Sequence, residues 1–322
     1  MITKECPFCS ACGARYYGSR DAAIWAACRA CRSIFRDISA TDFEDLHKQA
    51  EDGSTLIPRA VGASGNQPHA DVWRAIGLAG STVLEIGPGS GHLLAAARDA
   101  GRQVWGVETN PAHRAHIAST WGIHTVHPAL SDLPSGQTFD AIVAINVLEH
   151  VHDIQGFLQA LRTRLSPNGE IFISTSNSSC IVPRVVGPWW SMFKEVDHVA
   201  FPSAAGMSAV AATAGLAVGR VWTSELPLET PIGFAVAARD YLRRRRHGAG
   251  HRDAAPGRPP AAGTPATRPA HEVVDRKAIG RVYRFRPGWE PSARLMARLG
   301  RAASIKAVLT HPTKDLTHPT QR

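Results

Sequence analysis

The stretch from Thr82 to Thr175 leaves few folds open. Strand-like apolar runs TVLEIG (82–87), QVWGVE (103–108), IHTV (123–126), FDAIVAI (139–145) and EIFIST (170–175) alternate with helical stretches. Ile154, Phe157, Leu158, Leu161 and Leu165 recur at helical spacing, and SPNG (166–169) follows them as a helix stop. Parallel neighbours need a crossover long enough to hold a helix, so this alternation predicts an α/β sheet, mostly parallel, with helices on both faces. A helix over 203–213 ends at Gly215, and two more strands are expected near 216–223 and 232–238. Their short connection suits an antiparallel pair at the sheet edge, making seven strands.

The sharpest feature inside this pattern is VLEIGPGSGHLLAAA (83–97), a strand running through three glycines into an alanine-rich helix. In open α/β sheets ligands bind at the carboxyl ends of strands, near the switch in strand order. A glycine turn there lets a ligand approach the backbone and presents N–H groups at a helix start. The dinucleotide fingerprint is G-x-G-x-x-G, whereas Gly87, Gly89 and Gly91 give G-x-G-x-G. Glu85 precedes the turn by two residues, an awkward place for an acid beside a pyrophosphate and a suitable one beside a cation. S-adenosylmethionine offers an ammonium, a carboxylate and a sulfonium. Backbone N–H groups are expected to take the carboxylate and Glu85 the ammonium, directly or through water. Glu108, just past the second strand, is placed to accept both ribose hydroxyls, a role shared by dinucleotide and adenosyl sites.

Five of the six cysteines lie in the first 31 residues, as CPFCSAC (6–12) and CRAC (28–31). Paired C-x-x-C elements in a chain of this kind point to a four-ligand structural zinc. Two registers fit. Cys9 and Cys12 with Cys28 and Cys31 is preferred, because Gly13 helps the chain fold around the metal; Cys6 and Cys9 with the same second pair is the alternative. No histidine is spaced to join the set, which argues against a catalytic zinc. A helix over 39–52 (Phe43, Leu46, Ala50), a Gly/Pro/Ser-rich linker over 53–68 and a short helix over 70–76 separate this module from the sheet.

The net charge of +9 is unevenly spread. Residues 243–322 hold 18 Lys+Arg and 5 Asp+Glu, leaving 18 and 22 in the first 242 residues, a net of −4. Any attraction to an anionic membrane or nucleic acid therefore belongs to the tail. Residues 243–270 read as disordered. In 289–309, Leu295, Leu299 and Ala302 share a helical face among Arg294, Arg298 and Arg301, predicting a basic amphipathic helix. The N-terminus lacks a signal-peptide core, and the uncharged run 201–219 is too weakly apolar to span a bilayer, so a cytoplasmic protein is expected.

LEIGPGSG, GVETNP, FDAIVAINVLEHVHD and LSPNGEIFIST, in this order, resemble the successive motifs of class I S-adenosylmethionine-dependent methyltransferases. The block NVLEHVHD is similar to the branch with ubiquinone-pathway and sugar methyltransferases, some of which begin with a cysteine zinc module. The resemblance implies a Rossmann-like domain over 69–240, preceded by a zinc-ribbon-like module (1–38) and a helix and cap (39–68), and followed by a linker (241–271) and a basic tail (272–322). It also implies that Gly87, Gly89 and Gly91 pack against the methionine end of the cofactor and that Glu108 holds its ribose. Asp132 is then the nearest acid for the adenine amine, and Asn146 lies beside the methionine moiety.

KEVDHVAFPS (194–203) resembles an acceptor-site stretch in that branch, with an acid–histidine pair at Asp197 and His198. Methylating an alcohol or carbon acid calls for a base near neutral pKa. His198 is the first candidate and His150 the second. Trp189 and Trp190 are either an apolar acceptor wall or plain core. The expected activity is methyl transfer to a small-molecule acceptor of sugar, quinone-like or lipid-linked type, on oxygen or carbon. The alternatives are RNA methylation, using the zinc module and tail, and non-catalytic adenosyl binding.

Overall fold

A computed structural model describes residues 5–20, 23–53, 72, 82–224 and 304–312. The chain opens with β1 (Arg15–Arg20), β2 (Ala23–Ala27) and β3 (Ile34–Arg36), followed by helix α1 (Ala40–Gly53). The alternating part comprises β4 (Thr82–Ile86), α2 (His92–Asp99), β5 (Gln103–Val107), α3 (Pro111–Trp121), β6 (Val126–His127), β7 (Phe139–Ile145), α4 (Ile154–Thr163) and β8 (Leu165–Ser176). Then come α5 (Ile181–Val186), β9 (Ala200–Phe201), α6 (Ala204–Thr213), β10 (Ala217–Ser224) and, far along the chain, β11 (Ser304–Thr310).

Seven strands form one sheet in the order β10-β11-β8-β7-β4-β5-β6. The five from β8 to β6 are parallel, and β11 runs antiparallel to both of its neighbours. Their apolar runs are unbroken because both faces are covered. Val83, Val104, Ala141 and Val143 face α2 and α3 through Leu93, Leu94, Ala97 and Ile117. Leu84, Ile142, Ala144 and Ile171 face α4 and α6 through Leu158, Leu161, Met207 and Val210. From β4 the chain moves outward through β5 and β6, then returns to β7 on the other side of β4. The switch in strand order, where such sheets bind ligands, thus lies at the carboxyl ends of β4 and β7.

The helices begin and end where local chemistry dictates. Asn110 caps α3 by accepting from the Ala112 amide at 2.9 Å, with Pro111 in its first turn, and Gly122 closes it in the left-handed region. Asp153 caps α4 and Ser203 caps α6, each accepting the amide three residues on, at 2.9 Å. Among the described residues no helix is long and apolar enough to cross a membrane.

Two expectations need correction. Residues 304–309, expected from sequence at the end of a basic amphipathic helix, belong to strand β11, which completes the sheet between β8 and β10. Among the described residues β10 pairs with this distant segment, and the strand expected at 232–238 lies outside the described residues. SPNG does not follow the helix as a loop: α4 ends at Thr163 and 166–169 belong to β8, bulged out where the register jumps from Phe139↔Leu165 to Ala141↔Glu170. The N-terminal module is joined to the rest of the chain by β3, which pairs with β9 and completes a second, antiparallel sheet β1-β2-β3-β9. Its Phe8, Phe35 and Ile38 join the same core as α4 and α6. Gly53, the first residue of the proposed linker (53–68), ends α1; residues 54–68, the helix at 70–76 apart from buried Val72, and the stretch 243–270 lie outside the described residues.

Candidate functional site

The glycine turn and the loop after β7 meet at the switch point. Gly87, Gly89 and Gly91 all have positive φ (65°, 54° and 77°), where a side chain is strained. A Cβ on Gly87 would meet Val147 Cγ2 at 2.9 Å, and one on Gly91 would meet Ile117 Cγ1 at 2.8 Å. The three glycine amides are engaged within the protein: Gly87 donates to Val107 O (2.8 Å), Gly89 to Glu108 Oε2 (3.0 Å) and Gly91 to Pro88 O (2.8 Å). What these three positions offer a ligand is therefore close approach to a backbone without side chains, while any backbone N–H that meets a carboxylate has to come from other residues.

Glu85 is buried at the end of β4, and its Oε2 has no hydrogen-bond partner. Burial pushes its carboxyl up to about 8; a hydrogen bond from the Leu94 amide works against this, and the nearby Glu108 adds to it. Glu108 accepts from the Gly89 and Asn110 amides, both at 3.0 Å, and lies 3.5 Å from His113 Nδ1. Both ring nitrogens of His113 are buried without a hydrogen-bond partner. Among the described residues no Lys or Arg side chain pairs with either of these buried acids, and polar groups buried without partners are rare unless a ligand or water meets them. A ligand carrying an ammonium and a nucleoside fits that donor set. Asp132 is exposed and turned to its own short helical turn, accepting from the Ala129 amide at 3.1 Å. Asn146 follows β7 at φ 54°, a left-handed position asparagine tolerates, and is exposed next to Val147.

A few residues further on lies a cluster of histidines. His150 Nδ1 bonds Asp197 Oδ2 at 2.9 Å, and the His150 and His198 rings meet edge to face with centroids 4.5 Å apart. The acid–histidine pair therefore joins Asp197 to His150 and not to its sequence neighbour. His198 is buried and its Nδ1 bonds Met192 O at 2.8 Å. A carbonyl only accepts, so Nδ1 carries the proton and Nε2 the lone pair. Burial and the neighbouring His150 hold His198 below the usual histidine pKa. For His150 burial acts downward, but the hydrogen bond and charge of Asp197, with Glu149 and Glu195, outweigh it and leave the pKa raised. For Asp197 burial is likewise outweighed by the two histidines, and its pKa is lowered. The shifts therefore run in opposite directions, favouring charge on the His150–Asp197 pair and disfavouring it on His198.

Sequence reasoning missed one member of this cluster, His47, and placed Glu149 only as a neighbour of His150 that orders the loop. His47 on α1 places Nδ1 3.8 Å from Asp197 Oδ2, and Phe43 stacks between His47 and His152. Glu149 is buried and accepts from Thr175 Oγ1 at 2.5 Å. Trp190 belongs to the core with Trp25, Phe193 and Phe201, whereas Trp189 is half-buried with the Arg20 guanidinium 5.6 Å over its ring.

The cysteines gather as Cys6, Cys9, Cys28 and Cys31, their sulfurs all within 4.8 Å of one another. This is the alternative register. Cys12 is exposed, and its sulfur lies 4.0 Å from Glu5 Oε1. Cys6–Cys31 and Cys9–Cys28 sulfurs are each 3.6 Å apart, too far for a disulfide. They are close to the ~3.8 Å edge of a tetrahedron with 2.3 Å zinc–sulfur bonds. The donor set therefore fits a closed tetrahedral metal.

A family model described as a methyltransferase domain matches residues 57–221, just over half of the chain. The ubiquinone biosynthesis O-methyltransferase of Pseudomonas paraeruginosa (strain DSM 24068 / PA7) is 34% identical over 110 residues, covering 31% of this chain and 47% of that protein. The protein of the same name from Idiomarina loihiensis is 32% identical over 165 residues, covering 49% and 60%. The chain thus spans about half the length of the curated relatives it matches. Among solved structures, the [4+2]-cyclase SpnF aligns with a TM-score of 0.47 at 15% identity, over 85% of this chain and 95% of that one.

Proposed function

The chain belongs to the methyltransferase-domain family, and from that premise we propose that it transfers the methyl group of S-adenosylmethionine to a small-molecule acceptor, on oxygen or carbon. The observation that carries this reading is the buried, half-orphaned Glu85 beside the glycine turn, with Glu108 at the end of the neighbouring strand. Bound S-adenosylmethionine supplies an electrophilic methyl group on a sulfonium. Glu85 meets the ammonium, and each Glu108 oxygen keeps a lone pair for a ribose hydroxyl beyond the amide it already accepts. The three glycines of the turn let the ligand lie against the backbone, and Asn146 borders its methionine end.

On the acceptor side, His198 Nε2 takes the proton of the attacking hydroxyl or carbon acid. Burial, and after it repulsion from His150, lowers the proton affinity of His198 and so favours a free lone pair, while Asp197 raises that of His150. A sugar, quinone-like or lipid-linked acceptor agrees with the relatives named as ubiquinone biosynthesis O-methyltransferases. Cys6, Cys9, Cys28 and Cys31 would hold a zinc ion that keeps the N-terminal module folded.

Isothermal titration with S-adenosylmethionine, followed by an acceptor screen with labelled cofactor, tests the proposal. Binding weakened at least about tenfold by Glu108→Ala is expected, since two ribose hydrogen bonds to a charged group are lost. A wild type that does not bind the cofactor refutes it. Transfer to RNA alone, surviving removal of residues 243–303, would replace the acceptor class.

A further inference from the structure

We propose that Ser33 is a positioning residue that ties the cysteine cluster to the loop carrying Asp197 and His198, so that metal binding and the ordering of the acceptor-side histidines are coupled. The inference rests on the metal reading above. Ser33 is completely buried, and its Oγ lies between two partners: the Cys31 sulfur at 3.2 Å and the Ser203 amide at 3.1 Å. When a metal holds Cys31 as a thiolate, that sulfur only accepts, so the serine hydroxyl donates to it and its lone pairs take the Ser203 N–H. A hydrogen bond to a charged sulfur is stronger than one to a thiol.

Ser203 reciprocates. Its hydroxyl donates to the Cys31 carbonyl while accepting from the Gly206 amide at the start of α6. The contact is tight enough that a Cβ on Gly206 would collide with Ser33 Oγ and approach Cys31 Sγ to 3.4 Å. No larger residue fits at that junction without moving one side of it.

From this junction the connection runs straight to the histidines. β3 pairs with β9 at Ile34↔Phe201 and Phe35↔Ala200. The Arg36 amide donates to Val199 O at 2.8 Å, and its guanidinium to Val196 O at 2.6 Å. Val199 in turn donates to Glu149 O at 2.7 Å, next to His150. Asp197 and His198 thus sit between two residues whose carbonyls are both held by Arg36. The cofactor-side turn is built differently, with hydrogen bonds to Val107, Pro88, Glu108 and Leu94 inside the large sheet and its helices. Loosening the cysteine cluster should therefore release the acceptor side and leave the cofactor side in place. Linkage requires the reverse as well: whatever orders residues 196–203 tightens the metal.

Hydrogen exchange by mass spectrometry on the full-length chain, with and without a zinc chelator, tests this. Exchange at 199–203 is expected to rise about tenfold or more on chelation, the loss of one or two buried hydrogen bonds. Exchange at 84–91 and calorimetric affinity for S-adenosylhomocysteine should stay unchanged. Ser33→Ala should keep its metal by elemental analysis, yet show the same loosening at 199–203 and altered imidazole NMR resonances for His198. Should the variant fail to fold, chelation of the wild type decides alone. A metal-loaded wild type whose 199–203 exchange ignores chelation overturns the inference, as does a folded Ser33→Ala with wild-type exchange and His198 resonances. A wild type that purifies without metal removes the metal reading and this inference together. Failure to bind S-adenosylhomocysteine strikes only the cofactor reading.

Discussion

Glu85→Gln separates stability from binding in a way the structure makes quantitative. A glutamate ordinarily titrates near 4.5, and in the ligand-free fold burial raises Glu85 to about 8. Between those values the native state holds a proton that the unfolded chain has released. Stability therefore falls as pH rises through this window, by up to about 1.4 kcal/mol per pH unit. At pH 7 the penalty reaches up to ~3 kcal/mol. Glutamine keeps the length of the side chain and an acceptor for the Leu94 amide but does not titrate. Denaturant unfolding from pH 5 to 8 should show the wild type losing stability with pH faster than the variant. Near pH 7 Glu85→Gln should be the more stable protein, by roughly 1–3 kcal/mol.

Binding reverses the advantage. An ammonium beside Glu85 favours the ionised carboxyl, so cofactor binding at pH 6–7 should release close to one proton in the wild type and almost none in the variant. Calorimetry in buffers of different ionisation enthalpy measures this directly. Affinity should fall about tenfold to a hundredfold in Glu85→Gln, the cost of losing a buried charge-assisted contact. Parallel pH–stability curves for the two proteins, or equal proton release, would refute both the burial argument and the assignment of the ammonium.

Further outcomes follow from other parts of the fold. Cys6→Ser should abolish the expected one zinc per chain while Cys12→Ser retains it, measured by elemental analysis; the opposite pattern would restore the register preferred from sequence. Leu309→Ala should cost about 2–5 kcal/mol in denaturant unfolding, as for a buried leucine in a packed core; a cost near zero would mean that β11 does not belong in the sheet. His198→Gln should depress turnover with cofactor affinity unchanged. Because its pKa lies below the usual histidine value, wild-type turnover should fall on the acid side only below about pH 6.5. A wild-type profile with its acid limb above that value would move the base elsewhere.

Strands β4, β5 and β7 were legible because each is buried on both faces and so reads as an unbroken apolar run. The glycine turn and the two acids were legible for the same local reason, since turn, strand end and loop follow one another in the chain. β11 was not. SIKAVLT carries Lys306 amid small and apolar residues, and what selects a strand there is the gap between β8 and β10, a pairing with Ile171–Ser176 that no local window contains. The cysteine register turned on packing, too. The turn at 6–11, closed by Ser10 N–H to Cys6 O at 2.9 Å, buries Phe8 and brings Cys6 inward while Cys12 stays outside. Adjacency misled at Asp197 and His198, because their side chains reach different partners, His150 and Met192. His47 gave no signal, because only the docking of α1 brings it to Asp197.

The place of β11 also bears on how the molecule comes to be made. Among the described residues β10 joins the large sheet only through β11, so this pairing and the one between β11 and β8 must wait for residues 304–310 to leave the ribosome. Translating the intervening residues 225–303 at ~5–20 residues per second takes on the order of ten seconds. Until then the edge of β8 lacks the partner it has in the finished fold, and a strand edge without its partner invites chaperone capture or self-association.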